Sequence, residues 1–272
     1  MVDIIIPFFN KSELTIQCLK YVCQTALLDC RLVVVDDGSD MIESEKVLAY
    51  LRMGKSNFTF YRKEANQGYK EAIRTGMALC FRKYVILLNN DTITTPGFDS
   101  RLVDVLEKDS SIKAAGPVSN HPTDLFQFRE SLQHVKADPE VFEGQAVAQL
   151  MDGLVAGLKK QVTIAPYLTG MCLALDRELF QQIGVFDDQY EHGYFEDLDL
   201  CCQIRKKGYQ LAIAEDCFVF HYGHATYRQK ATSEKHRIIW NNFKIFSDRW
   251  RHISGHDELL LKMEFAGKND PI

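Results

Sequence analysis

The chain has 272 residues, 46% of them hydrophobic and 25% charged, which suits a globular protein of one large domain or two small ones. Its net charge of −5 argues against nucleic acid as a partner, and no apolar run approaches the roughly 18 residues that span a bilayer. The opening "MVDIIIPFFN" lacks the basic start and long apolar centre of a signal peptide, so a cytoplasmic protein is expected.

Strands and helices are predicted in alternation. Residues 3–9, "DIIIPFF", read as a strand, and Ser12 is placed to cap a helix whose Leu14, Cys18, Val22 and Ala26 recur every four residues. "RLVVV" at 31–35 is the second strand and stops at "DDGSD". A helix over 42–53 carries Val47, Leu48 and Leu51 on one face and ends at Gly54. "FTFYR" (58–62) is a third strand, "NQG" (66–68) opens a helix reaching Cys80, and "YVILL" (84–88) is a fourth strand. A helix over 98–108 and the strand "IKAAGPV" (112–118) complete this series. Such order with Val/Ile/Leu-rich strands predicts an α/β fold, a Rossmann-like, mostly parallel sheet flanked by helices.

Residues 120–165 have little pattern beyond a helix near 140–158 and read as a variable insertion. After them come a strand at 167–176, a short helix at 177–184, a helix at 195–208, further strands at 210–224 and a helix over about 233–251. The eight cysteines contain no C-x-x-C pair and read as small buried residues rather than disulfides or a zinc site.

Ligands on such sheets sit beyond the carboxyl ends of the strands. That rule puts Pro7–Asn10, Asp36–Asp37 and Asn89–Asp91 on one rim. The turn after strand 1, "PFFNKS", has no G-x-G-x-x-G, and no phosphate-binding G-x-x-x-x-G-K-[ST] occurs anywhere. What remains is a rim of carboxylates and amides. A diphosphate bound beside acids needs a divalent cation, and Mg²⁺ or Mn²⁺ held by one or two carboxylates fits. Asp91 is the candidate ligand, joined by His221 or His224 of "HYGH". Taken singly, a strand-end Asp more often makes a turn and a His is more often a satisfied polar group. Their shared rim favours the functional reading. Glu196, Asp197 and Asp199 crowd one helix start, where acids cap orphan amides. Three exceed what one cap needs, and close carboxylates raise one another's pKa toward that of a general base.

In this order and spacing the segments resemble the family-2 glycosyltransferases, inverting enzymes of the GT-A fold, over roughly residues 2–118 and 167–250. "VDIIIPFFNKSELTIQCL" resembles their opening strand and helix, and "VVVDDGSD" the nucleotide-binding strand end. "NQGYKEAIRTGM" is similar to their N-x-G helix, "LLNNDT" to their D-x-D strand and "FVFHYGHAT" to their terminal His segment. Asn89 stands where the first Asp of D-x-D is usual, as in the rhamnosyltransferase-like branch.

The resemblance implies a catalytic domain over 1–228, with a donor half to 118, an insertion at 119–166 and an acceptor half at 167–228, then a helical segment over 229–272. It implies that Pro7 and Asn10 border base and ribose, that Asp37 bonds the nucleotide, and that Asn66 and Gly68 shape the donor pocket. Asn89, with Asn90 beside it, would face the ribose or a metal-bound water, and Asp91 the ion. His221 or His224 would touch ion or phosphate, and Asp197 would be the base, with Glu196 as its catalytic neighbour. The implied reaction is metal-assisted transfer from a UDP- or dTDP-linked sugar to a glycan or lipid-linked acceptor, with inversion.

A non-catalytic scaffold subunit is the rival that Asn89 supports. A nucleotidyltransferase ranks below it, since the loop after strand 1 lacks basic glycine-rich character. The helix within 227–252 carries aromatic residues at helical spacing and is expected to pack them on the core. Its basic face is the expected site of a peripheral membrane contact.

Overall fold

Seven consecutive buried residues form β1 (Val2–Phe8), and their side chains divide between two cores by the period-two rule of a strand. Ile5 joins Val33, Val35, Val85 and Leu87 on one face of the sheet; Ile4 and Ile6 join Leu32, Val34, Ile86 and Leu88 on the other. These partners come from β2 (Cys30–Asp36) and β4 (Tyr84–Leu88), which flank β1 in parallel, with β3 (Phe58–Arg62) parallel outside β2. Burial on both faces is what near-continuous apolar runs encode. The structure is a computed structural model describing residues 1–54, 57–133, 153, 157–158, 160–184, 186–191, 194–223 and 232–269.

Helices α1 (Ser12–Thr25), α2 (Met41–Met53) and α4 (Phe98–Lys108) cover the face of Ile4 through Leu19, Val47 and Leu102. Helix α3 (Tyr69–Leu79) covers the face of Ile5, so closely that a Cβ on Gly76 would lie 2.5 Å from Ile5 Cγ2. Ser12 does not cap α1. Lys11 is the capping residue, at φ 54, and follows Asn10 at φ 53. The two left-handed residues swing the chain off β1, and the Ser12 N–H is met from α2 by the Glu43 carboxylate at 2.8 Å. That bond holds the Glu43 carboxyl down at about 2.

The remaining elements are β5 (Thr92–Thr94), β6 (Ile112–Val118), β7 (Val162–Ala165), β8 (Cys172–Asp176), α5 (Arg177–Ile183), α6 (Glu196–Lys206), β9 (Gln210–His221), α7 (Thr232–Trp250) and α8 (His256–Asn269). Strand order is β3-β2-β1-β4-β8-β6-β9-β5, with β7 also paired to β9. The sheet is parallel from β3 to β4 and mixed beyond. Strand β8 runs antiparallel to both β4 and β6, and β9 runs parallel to β6. Strands β6 and β9 therefore point the same way as β1, β2 and β4, and their carboxyl ends meet the amino end of β8 along one edge. The apolar run at 210–224 is one strand of 12 residues. Residues 122–132 form two short 3₁₀ turns, Pro122–Gln127 and Glu130–Leu132, where no pattern was evident. The helix expected near 140–158 lies, but for three residues, outside the described residues, as does His224.

Six of the eight cysteines are buried and none is in a disulfide. No helix among the described residues is long and apolar enough to cross a membrane. Helix α7 packs Ile238, Phe246 and Trp250 inward, as its spacing predicted. Of its basic residues, Arg237 pairs with Glu191, and Arg249 with Asp187 and Asp199.

Candidate active site

Three strand ends build the first part of the rim. Asn10 ties the loop after β1 to the loop after β2: its N–H donates to Ser39 Oγ at 2.7 Å, and its Oδ1 accepts the Asp40 N–H at 2.9 Å. Pro7 is buried near the end of β1, past the Ile5–Leu87 pair where contact with β4 stops, so its missing N–H is tolerated. Asp37 is buried and accepts the N–H groups of Gln67 at Oδ1, 3.1 Å, and Gly68 at Oδ2, 2.7 Å, while Lys63 Nζ sits 2.9 Å from Oδ1. Gly38, at φ +78, lies so near the following loop that a Cβ would stand 2.6 Å from the Asn66 N. Asp37, Asn66 and Gly68 are thus one structural unit, with Asn66 exposed at its surface.

The end of β4 distributes its three polar residues. Asn90 is buried and donates to Thr15 Oγ1 of α1 at 3.0 Å, which is a packing role. Asn89 is half-buried, its N–H bonded to Met171 O at 2.9 Å. Asp91 turns the other way. Strand β5, which begins one residue later, pairs antiparallel with β9 so that Thr92 lies opposite His221. This pairing brings the Asp91 carboxylate to 3.4 Å from His221 Nε2.

His221 is held on every side by residues 119–124. Asn120 grips its backbone, accepting the N–H at 2.8 Å and donating to the carbonyl at 3.2 Å. The ring Nδ1 lies 3.0 Å from both oxygens of Asp124, which is itself bonded by Ser119 Oγ. His121 meets the ring edge-on, with 5.4 Å between centroids. Burial alone would depress the His221 pKa, but the carboxylates of Asp124 and Asp91 outweigh it and raise it well above the ordinary range. Burial likewise opposes ionisation of Asp124, yet the histidines and hydrogen bonds keep its carboxyl below the usual value.

The acids of α6 separate into different tasks. Asp199 is fully buried and structural, accepting from Tyr190 Oη at 2.9 Å, Trp250 Nε1 at 2.5 Å and Gln203 Nε2 at 2.6 Å. Asp197 is half-buried and accepts the N–H groups of Gly170, just before β8, and of Leu198, each at 2.8 Å. Glu196 is buried, and its Oε2 has no hydrogen-bond partner. Burial, then the charge of Asp197, pushes Glu196 up to about 8. Burial also raises Asp197, against its backbone N–H bonds. Glu196 therefore keeps its proton at neutral pH, while the Gly170 and Leu198 amides favour the charged form of Asp197. Tyr69, at the start of α3, donates to Gly170 O at 3.3 Å. Burial, and after it the negative charge of the Glu196, Asp197 and Asp91 carboxylates, raises its phenol well above the ordinary value.

Sequence reasoning did not find Tyr69, Lys63 or the residues 119–124. "SNHPTD" follows a strand at its carboxyl end, so the rim rule already pointed to it. Among the described residues no three His, Cys, Asp or Glu side chains converge as a metal site. Asp91 Oδ1 and His221 Nε2 do converge, and two carboxylates flank the one imidazole, so the cluster stays net negative even with the ring protonated. The Asp124 bond at Nδ1 turns Nε2 toward Asp91, the arrangement by which carboxylates orient metal-binding histidines, and an ion bound at Nε2 would take the place of the proton there. These donors fit a divalent cation whose remaining oxygens come from phosphate.

Residues 3–184 match the family described as glycosyl transferase family 2. The chondroitin synthase of Pasteurella multocida is 24% identical over 241 residues, covering 80% of this chain and 24% of that protein. An uncharacterized protein of Mycobacterium bovis is 24% identical over 196 residues, 70% of this chain and 66% of that one. The chain thus spans about a quarter of the first relative and under two thirds of the second. Among solved structures, a mannosyltransferase from Pyrobaculum calidifontis, in complex with GDP-Man and Mn2+, superposes with a TM-score of 0.63 at 17% identity, covering 89% of this chain and 63% of that one. GalNAc-T7 with UDP, GalNAc and Mn2+ gives 0.64 at 16%, covering 95% and 58%. At such identities these likenesses establish a shared fold, a mixed α/β sheet flanked by helices.

Proposed function

The chain belongs to glycosyl transferase family 2, and on that premise we propose that it moves a sugar from a nucleoside-diphosphate sugar to a hydroxyl of a glycan or lipid-linked glycan, inverting the anomeric carbon. The observation that carries this reading is the Asp91–His221 pair at the end of β4, on the sheet edge where the Gly170 N–H holds the Asp197 carboxylate, which supports a cation-binding acid and a base on one rim. The catalytic domain is residues 1–228, with 229–272 as a helical segment packed on it.

In this reading the unit of Asn10, Asp37, Asn66 and Gly68 receives the nucleoside, with Pro7 beneath it. A uridine or thymidine donor is our choice. Asn89 faces the ribose or a water on the ion. Asp91 and His221 would hold Mn²⁺ or Mg²⁺, an ion whose charge offsets that of the departing diphosphate. Both solved relatives carry Mn2+ with a nucleotide, which supports this choice. Asp197 accepts the proton of the incoming hydroxyl, and Glu196, protonated at neutral pH, adds no second negative charge beside it. The N–H bonds from Gly170 and Leu198 hold the carboxylate in place. One base and no protein nucleophile give a single displacement, hence inversion.

Asp197→Asn tests the assignment. Phe195 rather than Asp197 is the N-cap of α6, and Asn keeps one oxygen to accept a neighbouring N–H, so the fold should persist while transfer falls by at least about a hundredfold and donor binding survives. Full activity in this variant, with loss in Glu196→Gln, would move the base to Glu196. A chain that binds neither manganese nor nucleotide would favour the scaffold reading that Asn89 suggests.

A further inference from the structure

Helix α7 lies beyond the residues matched by the family, yet it holds the segment that delivers the α6 acids. Ile238, Asn242, Phe246 and Trp250 follow one another at four-residue intervals along its buried face, and Asn242 is fully buried. For packing alone an apolar residue would serve there, since a buried amide must be hydrogen-bonded to avoid a penalty. Its bonds among the described residues go to one place. Asn242 Oδ1 accepts the Glu191 N–H at 2.9 Å, and Nδ2 donates to the carbonyls of Glu191 at 2.9 Å and Tyr194 at 3.0 Å.

The residues just after this grip are unusual. Tyr194 and Phe195 have φ of 67° and 74°, a left-handed conformation that bulky side chains keep only when their surroundings over-determine it. Helix α7 supplies that constraint twice, since the Phe195 ring also packs on Phe243 and Phe246, at centroid distances of 5.9 and 5.4 Å. Glu196 and Asp197 follow immediately. From the other side, the Gly170 N–H meets Asp197 at 2.8 Å, and a Cβ on Gly170 would stand 3.2 Å from Tyr69 Oη, so the carboxylate fits a narrow slot.

We propose that Asn242 is a positioning residue: it locks the left-handed Tyr194–Phe195 turn and thereby sets where the Asp197 carboxylate stands. The inference rests on the reading of Asp197 as the base. It makes the C-terminal helix part of the active site rather than an appendage to it. Misplacing a reacting group by about 1 Å costs on the order of a hundredfold in rate, so a small relaxation of the turn suffices.

The experiment uses the full chain in four forms: wild type, Asn242→Asp, Asn242→Leu and, as a comparator, Trp250→Phe. Asn242→Asp keeps the acceptor and loses the donor; Asn242→Leu keeps the apolar stripe and loses all three bonds. Trp250→Phe removes a bond to Asp199 and leaves the turn alone. Both Asn242 variants are expected to lower kcat about a hundredfold at unchanged donor KM. Backbone hydrogen exchange over residues 191–197 should accelerate at least about tenfold while the central strands stay protected. Unchanged exchange over 191–197 would overturn the proposal, as would a kcat loss no greater than that of Trp250→Phe. Should wild type transfer sugar from no nucleoside-diphosphate donor, the enzymatic reading fails, and the exchange result alone decides whether Asn242 clamps the turn. Asp197→Asn with wild-type kcat would remove the base assignment and the proposal with it.

Discussion

Replacing Glu196 by Gln keeps the side chain's shape and removes one titration. Glu196 is 6% exposed, and burial followed by the Asp197 charge lifts its pKa from 4.5 to about 8. Between those values the folded protein holds a proton that the unfolded chain has released. Stability from this group is therefore fully present below about pH 4.5, declines as pH rises, and levels off above about 8. At about 1.4 kcal/mol per pH unit the decline is at most roughly 5 kcal/mol. Glu196→Gln carries no such decline, so its stability relative to wild type should rise by that amount between about pH 5 and about pH 8. Urea unfolding of both proteins at about pH 5, 6.5 and 8, followed by tryptophan fluorescence, measures the difference. Parallel stability profiles would mean that Glu196 titrates normally. The argument that Glu196 stays protonated beside Asp197 at neutral pH would then fall.

Other outcomes follow from the same geometry. Asp91→Asn should abolish manganese-dependent nucleotide binding in calorimetric titration, whereas Asn89→Asp should tighten it with no change in melting; equal affinity in wild type and Asp91→Asn would refute the metal site. Asp124→Asn removes the carboxylate that orients His221 and should weaken manganese binding about 10- to 100-fold, whereas unchanged affinity would reduce Asp124 to a packing role. Arg237 and Arg249 are paired with acids of the protein itself, so a contact of α7 with anionic lipid would rest on its other basic residues, such as exposed Lys244; co-sedimentation at low salt that favours anionic over neutral vesicles would support that contact, and equal co-sedimentation would exclude it.

The first half of the fold was legible in the sequence because its information is local. Apolar runs bounded by turn residues define β1 to β4, and the bounds of α4 and β6 match those predicted residue for residue. The rim rule then selected Asn10, Asp37 and Asp91 from strand ends alone, and the crowding of Glu196, Asp197 and Asp199 marked the second acidic patch. What these patterns specify is which face of an element is apolar.

They do not specify which strand lies beside which. That β8 enters antiparallel between β4 and β6 is set by packing of the whole sheet, and this places Gly170 against Asp197. The three-residue strand β5 is too short to carry a period of its own, and only its pairing with β9 brings Asp91 to His221, 130 positions away. The division of labour in α6 has the same origin. Three carboxylates within four residues look alike in sequence, and tertiary neighbours decide their roles: Tyr190, Trp250 and Gln203 claim Asp199, the Gly170 amide orients Asp197, and burial without a partner for Oε2 leaves the proton on Glu196. Local sequence determined that acids would stand together here; desolvation and hydrogen bonds from distant segments, which exist only once the sheet has closed, decided how each is held and left Glu196 its proton.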